Sequence, residues 1–311
     1  MPSLQTPVTI NPAEDAFYAR VDPPDKVEQP IQTREDSNMR KCICFGQNAV
    51  DQFAPEYNPD GNSGGGWSGL LAGPIPDARG LCQCASNMGY DSKAIFSGWN
   101  VGGPPAPGAP WVMTLDCTRA AWRQAHADLQ AIAKPGDEFI VGQSGHGSQY
   151  MAAFYGNNES MCFADGTLTD VEFHKLMCGW PEGVKVVYVL DTCFSGGQDR
   201  DCQRFTPKVA PIWVGNRGIP TIEVKTGDIK AAVLQLCACR KDETAGDGPH
   251  NGVFTGSLLG VWQQAKSAGN LLTWRSWFDA TAGVVATFAP QHPVLNILGA
   301  GASIVDDVLQ M

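Results

Sequence analysis

Val186-Val187-Tyr188-Val189-Leu190-Asp191-Thr192-Cys193-Phe194-Ser195-Gly196-Gly197 is the stretch whose reading decides the fold. A valine-rich apolar run stops abruptly at an acid, a thiol and two glycines. The run predicts a buried strand, and the glycine pair a tight turn after it. A thiol therefore stands at the carboxyl end of a strand, where open α/β sheets carry their chemistry. Upstream, Phe139-Ile140-Val141 runs in the same way into Gly142-Gln143-Ser144-Gly145-His146-Gly147. Two neighbouring strands ending like this set an imidazole beside a thiol.

The rest of the chain fits such a sheet. It has 311 residues and is 43% hydrophobic, which is enough for a substantial core. Only 17% of residues are charged and 35 are glycine, a globular composition. The formal net charge of −10 argues against nucleic acid or an anionic membrane as partner and suits a basic substrate. No apolar run is long enough to span a bilayer. Met1-Pro2-Ser3-Leu4-Gln5 has neither the cationic start nor the apolar centre of a secretory signal. The expected location is the cytoplasm, and the 11 cysteines are expected as free thiols.

Residues 1–38 are rich in proline and charge, without periodicity, and read as a flexible N-terminal arm; residues 39–311 read as one domain. Strands are expected at Lys41–Gly46, Ser92–Phe96, Phe139–Gly142, Lys185–Leu190, Ala231–Cys237 and His292–Leu298. Helices are expected at Pro76–Met88, Thr118–Ala133, Thr169–Met177, Phe254–Ala265 and Trp274–Phe288. Thr169 and Glu172 have capping-box spacing. The alternation predicts an α/β fold with a mainly parallel six-stranded sheet and helices on both faces. The segment 198–230 looks irregular.

A thiolate attacks carbonyl carbon, and a free thiol with a pKa of roughly 8.5 needs help near neutral pH. His146 is placed to take the Cys193 proton and to protonate a leaving amine. Gly145 and Gly147 let a substrate backbone come close. The N–H groups of Gly147 and Cys193 are candidate oxyanion donors by position. Asp191, after five apolar residues, needs a partner for its carboxylate. Asp77 reads as an acid at a helix start.

Ser144-Gly145-His146-Gly147-Ser148-Gln149 with Asp191-Thr192-Cys193-Phe194-Ser195-Gly196 resembles the metacaspase branch of the caspase-like cysteine peptidases. Looser similarity runs through Cys42–Asn48, Leu71–Ala78, Leu236–Cys239, Gly252–Thr255 and Gln291–Pro293, so the resemblance covers roughly residues 40–300. A prokaryotic or type I-like member is implied. The resemblance implies a caspase-like three-layer sandwich and a Cys193–His146 dyad cutting after Arg or Lys. It implies a cation pocket formed by Asp77, Asp191 and Ser144. Carboxylates facing a guanidinium or ammonium group form charge-assisted hydrogen bonds and repel acidic side chains.

Two departures from the family pattern stand out. Phe194 occupies the position of a usual histidine. The family's calcium cluster is poorly kept, with Asp170 matching one member and Asp199 lying near another. Calcium is thus expected only as a possible activator, and the chemistry requires no cofactor. Substrates are expected to be proteins or peptides, and self-cleavage is expected in 198–230, which offers Arg200, Arg204, Lys208, Arg217 and Lys225.

Three Cys-x-Cys pairs, Cys42/Cys44, Cys82/Cys84 and Cys237/Cys239, favour shared-face packing over a metal. Gly142-Gln143-Ser144-Gly145-His146 nearly spells the elbow of a serine hydrolase, with Ser144 as nucleophile, but histidine replaces the second glycine. A cysteine phosphatase is disfavoured by the acids near Cys193. A catalytically inactive caspase-like interaction domain is the non-enzymatic alternative.

Overall fold

The strand ending at Asp191 shows how the sheet is sealed. Val186, Tyr188 and Leu190 point into one apolar cluster, and Val187 and Val189 point into another. A strand with both faces buried belongs inside a parallel sheet covered by helices on each side. The computed structural model describes residues 38–98, 111–152, 156–193, 195 and 228–310. The arm up to residue 37, Phe194, Asp199 and the five basic residues proposed as self-cleavage sites lie outside the described residues.

The strands are β1 (Arg40–Gln47), β2 (Asp91–Ser97), β3 (Trp111–Thr114), β4 (Glu138–Ser144), β5 (Gly147–Ala152), β6 (Gly156–Phe163), β7 (Gly166–Thr169), β8 (Lys185–Asp191), β9 (Ala232–Cys237) and β10 (Val294–Gly299). The helices are α1 (Pro74–Asn87), α2 (Arg119–Ile132), α3 (Asp170–Cys178), α4 (Val253–Ala268) and α5 (Trp274–Phe288). The main sheet has the order β10-β9-β8-β4-β1-β2-β3 and is parallel except for β10.

One layer of helices contributes Leu81 of α1, Phe254 and Leu258 of α4, and Trp277 of α5 to the cluster of Val187 and Val189. The other contributes Trp122 and Leu129 of α2 with Phe173 and Met177 of α3. The result is a three-layer caspase-like α/β sandwich. Among the described residues its main sheet has seven strands where six were expected. The seventh, β3, is four residues long and pairs with β2 from Ser92↔Trp111 onward. So short a strand after a proline-rich stretch of sequence has too little periodicity to be read.

A second sheet of three antiparallel strands, β5-β6-β7, was not anticipated. Its first strand begins Gly147-Ser148-Gln149, with no apolar alternation to announce it. The anticipated caps are present. Thr118 accepts from the Ala121 N–H at 3.1 Å, and Thr169 and Glu172 close a capping box on α3. His126 is a packing histidine, bonded to the Trp122 carbonyl and the Tyr188 hydroxyl, with its pKa lowered to about 4 by burial. Among the described residues no helix is long and apolar enough to cross a membrane.

Candidate active site

β4 and β8 are neighbours, and their register pairs Ser144 with Asp191. The pairing continues one step further, where the Gly145 N–H donates to the Asp191 carbonyl at 3.2 Å. Gly147 then presses on the Cys193 backbone, and a Cβ at 147 would overlap the Cys193 carbonyl. Glycine is needed there for close approach. His146 and Cys193 thus leave adjacent strand ends.

The imidazole is held from outside the sheet. Trp67 meets His146 edge to face, with ring centroids 4.6 Å apart. The His146 ring bonds to the Gly69 backbone, while its Nε2 is buried without a hydrogen-bond partner. Burial lowers the His146 pKa, and the Gly69 carbonyl and the Asp247 charge oppose that shift. Cys193 is partly buried, with its Sγ 4.0 Å from the Ala245 carbonyl oxygen. Burial pushes its thiol pKa up, the Asp191 charge adds to this, and backbone amides including that of Gly147 pull it down. Both groups therefore favour their neutral forms at neutral pH.

Behind them lie two buried carboxylates. Asp77 is in the first turn of α1 and fully buried. It accepts from Ser144 Oγ at 2.7 Å, Asn251 Nδ2 at 2.7 Å and the Gly252 N–H at 3.1 Å. Asp191 accepts from the Thr255 N–H at 2.9 Å. Gly252 is the N-cap of α4 and Thr255 lies in its first turn, so the positive end of this helix faces both acids. Gly252 also sits between them, since a Cβ there would lie 3.0 Å from the Asp77 carboxylate.

Burial and the Asp191 charge raise the Asp77 pKa well above the usual carboxylate range. Burial raises that of Asp191 to about 6, opposed by Thr255 and reinforced by Asp247. Among the described residues, no ion pair engages either carboxylate.

Asp247, Asn251 and Thr255 were not singled out as site residues from sequence. Asp247 is exposed, accepts from the Ala72 and Gly73 N–H groups at 2.9 Å, and acts electrostatically on both His146 and Asp191. An acid between glycines after β9, as in Gly246-Asp247-Gly248, was the available signal.

Of the two calcium candidates, Asp170 falls among the described residues. Asp170 is buried at the start of α3, where its Oδ1 accepts from the Val171 N–H at 2.7 Å. Among the described residues it joins no group of three His, Cys, Asp or Glu ligands. Asp199, the other candidate, lies outside the described residues, and no step is routed through the ion.

The caspase-domain family model matches residues 40–296, and the chain belongs to that family of cysteine peptidases. The chain is similar in fold to the crystal structure of protein GSU0716 from Geobacter sulfurreducens. Their TM-score is 0.62 and identity 23%, over 86% of this chain and 97% of that one. None of the curated proteins compared with the chain matches it.

Proposed function

We propose that this chain is a metacaspase-like endopeptidase that cleaves peptide bonds after Arg or Lys through a Cys193–His146 dyad. One observation carries the specificity. Asp77 and Asp191 form a buried carboxylate pair beside the thiol and imidazole, both resist ionisation, and no described cation pairs with them. A substrate guanidinium or ammonium group supplies the missing positive charge. Asp247 extends the acidic surface towards solvent and attracts the cation first.

The chemistry follows from the neutral pair. His146 Nε2 takes the Sγ proton as Cys193 attacks the carbonyl carbon, and a C–S bond forms while the carbonyl oxygen becomes an oxyanion. The N–H groups of Gly147 and Cys193 stabilise that oxyanion. The C–N bond breaks as His146 returns its proton to the leaving amine, which leaves a thioester. Water, deprotonated by His146, attacks the thioester carbon. The acid product departs and the thiol is restored. No cofactor enters these steps. Calcium activation remains a separate proposal, to be tested by assay with and without chelator. So does self-cleavage at the basic residues of 198–230, which mass spectrometry of active enzyme tests.

The serine-hydrolase alternative is weakened because Ser144 is buried and its hydroxyl donates to Asp77. A peptide library tests the main reading. Cleavage confined to bonds after Arg and Lys, and abolished by Cys193→Ala, is expected. Hydrolysis that survives Cys193→Ala would reject the dyad, and no hydrolysis by the wild-type chain would favour the inactive interaction domain.

A further inference from the structure

Away from the peptidase site, the fold gathers three thiols that sequence spacing gave to packing. Cys42 and Cys44 share one face of β1, and Cys82 reaches them from α1. All three are fully buried, and their sulfurs lie within 4.8 Å of one another. Cys42 Sγ and Cys44 Sγ are 3.5 Å apart. Cys82 hydrogen-bonds to both, so the sulfurs turn toward one another and not toward the apolar side chains around them. Gly142 of β4 flanks the cluster. A Cβ there would lie 2.8 Å from Cys44 Sγ, and its backbone bonds to that sulfur.

We propose that Cys42, Cys44 and Cys82 form a trigonal thiolate site for a soft d10 metal ion, with cuprous copper as the best fit. An ion about 2.3 Å from each of three sulfurs in a plane needs sulfur separations of about 4.0 Å. The observed spacing of 3.5 Å and the limit of 4.8 Å bracket that value. Thiolates select Cu(I) and zinc over harder ions. Structural zinc takes four ligands, and among the described residues this group has three members. Binding exchanges S–H bonds for S–metal bonds, releases the displaced protons to water and involves no change of oxidation state. The ion would tie β1 to α1, the helix that carries Asp77 five residues before Cys82.

The sulfurs are sealed, so loading belongs to folding. The test uses the full chain carrying Cys178→Ser, Cys193→Ala and Cys202→Ser, which removes the two partly exposed thiols and the one outside the described residues. The chain is refolded under reducing, anaerobic conditions with Cu(I) buffered by a competing chelator. One copper per chain and a first shell of three sulfurs by X-ray absorption are expected. Adding Cys82→Ala should weaken binding by more than the roughly 10–100-fold cost of losing an outer-shell partner. No copper retained by the parent protein, a shell containing nitrogen or oxygen, or undiminished binding after Cys82→Ala would each overturn the proposal. The absorption measurement decides even if Cys82→Ala does not fold.

Discussion

Cys193 and the trio Cys42, Cys44 and Cys82 carry the same functional group in opposite settings. Cys193 stands at a strand end, partly open and within reach of backbone donors, and the neighbouring strand leads into His146, whose Nε2 is unpartnered. The trio is sealed between β1 and α1, with sulfur, a glycine backbone and apolar side chains around it. The chemistry of a thiol is set by what faces it. An imidazole and a site for an oxyanion make a nucleophile, whereas other thiols make a soft ligand set.

The largest expected effect breaks the nucleophile side of this contrast. Cys193→Ala should lower cleavage of an Arg peptide by about 10⁴-fold or more, and His146→Ala by about 10²–10⁴-fold. Loss of any one trio thiol should leave the chemical step nearly unchanged. A comparable kcat loss on replacing Cys44 would erase the distinction. Next comes the cation pocket. Asp191→Asn keeps an acceptor for the Thr255 N–H but removes the charge, so kcat/KM for Arg and Lys peptides should fall about 10²–10³-fold. The exposed Asp247→Asn should cost about 3- to 5-fold. Equal losses on a peptide with a neutral side chain at the cleavage site would assign these acids to capping α4 alone.

A smaller effect concerns pH. Asp191 titrates at about 6 in the fold against an ordinary value of 3.8, so the folded state holds the proton more tightly. That contribution to stability is fully present below about 4 and is lost as pH rises through about 6. Asp191→Asn should therefore melt higher than wild type above pH 6, with the difference closing towards pH 4. Binding of an Arg-containing inhibitor should release protons near pH 6, measured by calorimetry in buffers of differing ionisation enthalpy. No release would mean that the acids do not meet the cation. The smallest effect is in labelling. Iodoacetamide should modify Cys193 in the native protein and reach the trio only after unfolding, as peptide mapping would show.

Much of this was legible along the chain. The run Val186–Leu190 with Asp191 and Cys193 after it, and Phe139–Val141 with His146 after it, specified two buried strands with chemistry at their ends. Periodicity and glycine are local signals, and strands this apolar override other choices. Thr169 and Glu172 announced their helix for the same reason. β3 and the small sheet beginning at Gly147 were hidden, because short polar strands owe their form to a neighbour's edge. The acid pair was visible as Asp77 and Asp191, but the α4 terminus that holds both was not.

The sequence by itself determined the strand ends, the thiol, the imidazole and the helix caps, since each depends on residues a few positions apart. Only the tertiary structure decided which distant groups meet. It set Asp77 against Ser144 and Gly252, brought Asp247 within electrostatic reach of His146, and carried Cys82 to Cys42 and Cys44. Sulfur and carboxylate interactions act over a few ångströms of space, not of chain. The packing of α1 and α4 on the sheet, driven by apolar side chains elsewhere, therefore fixed the environment of every reactive group.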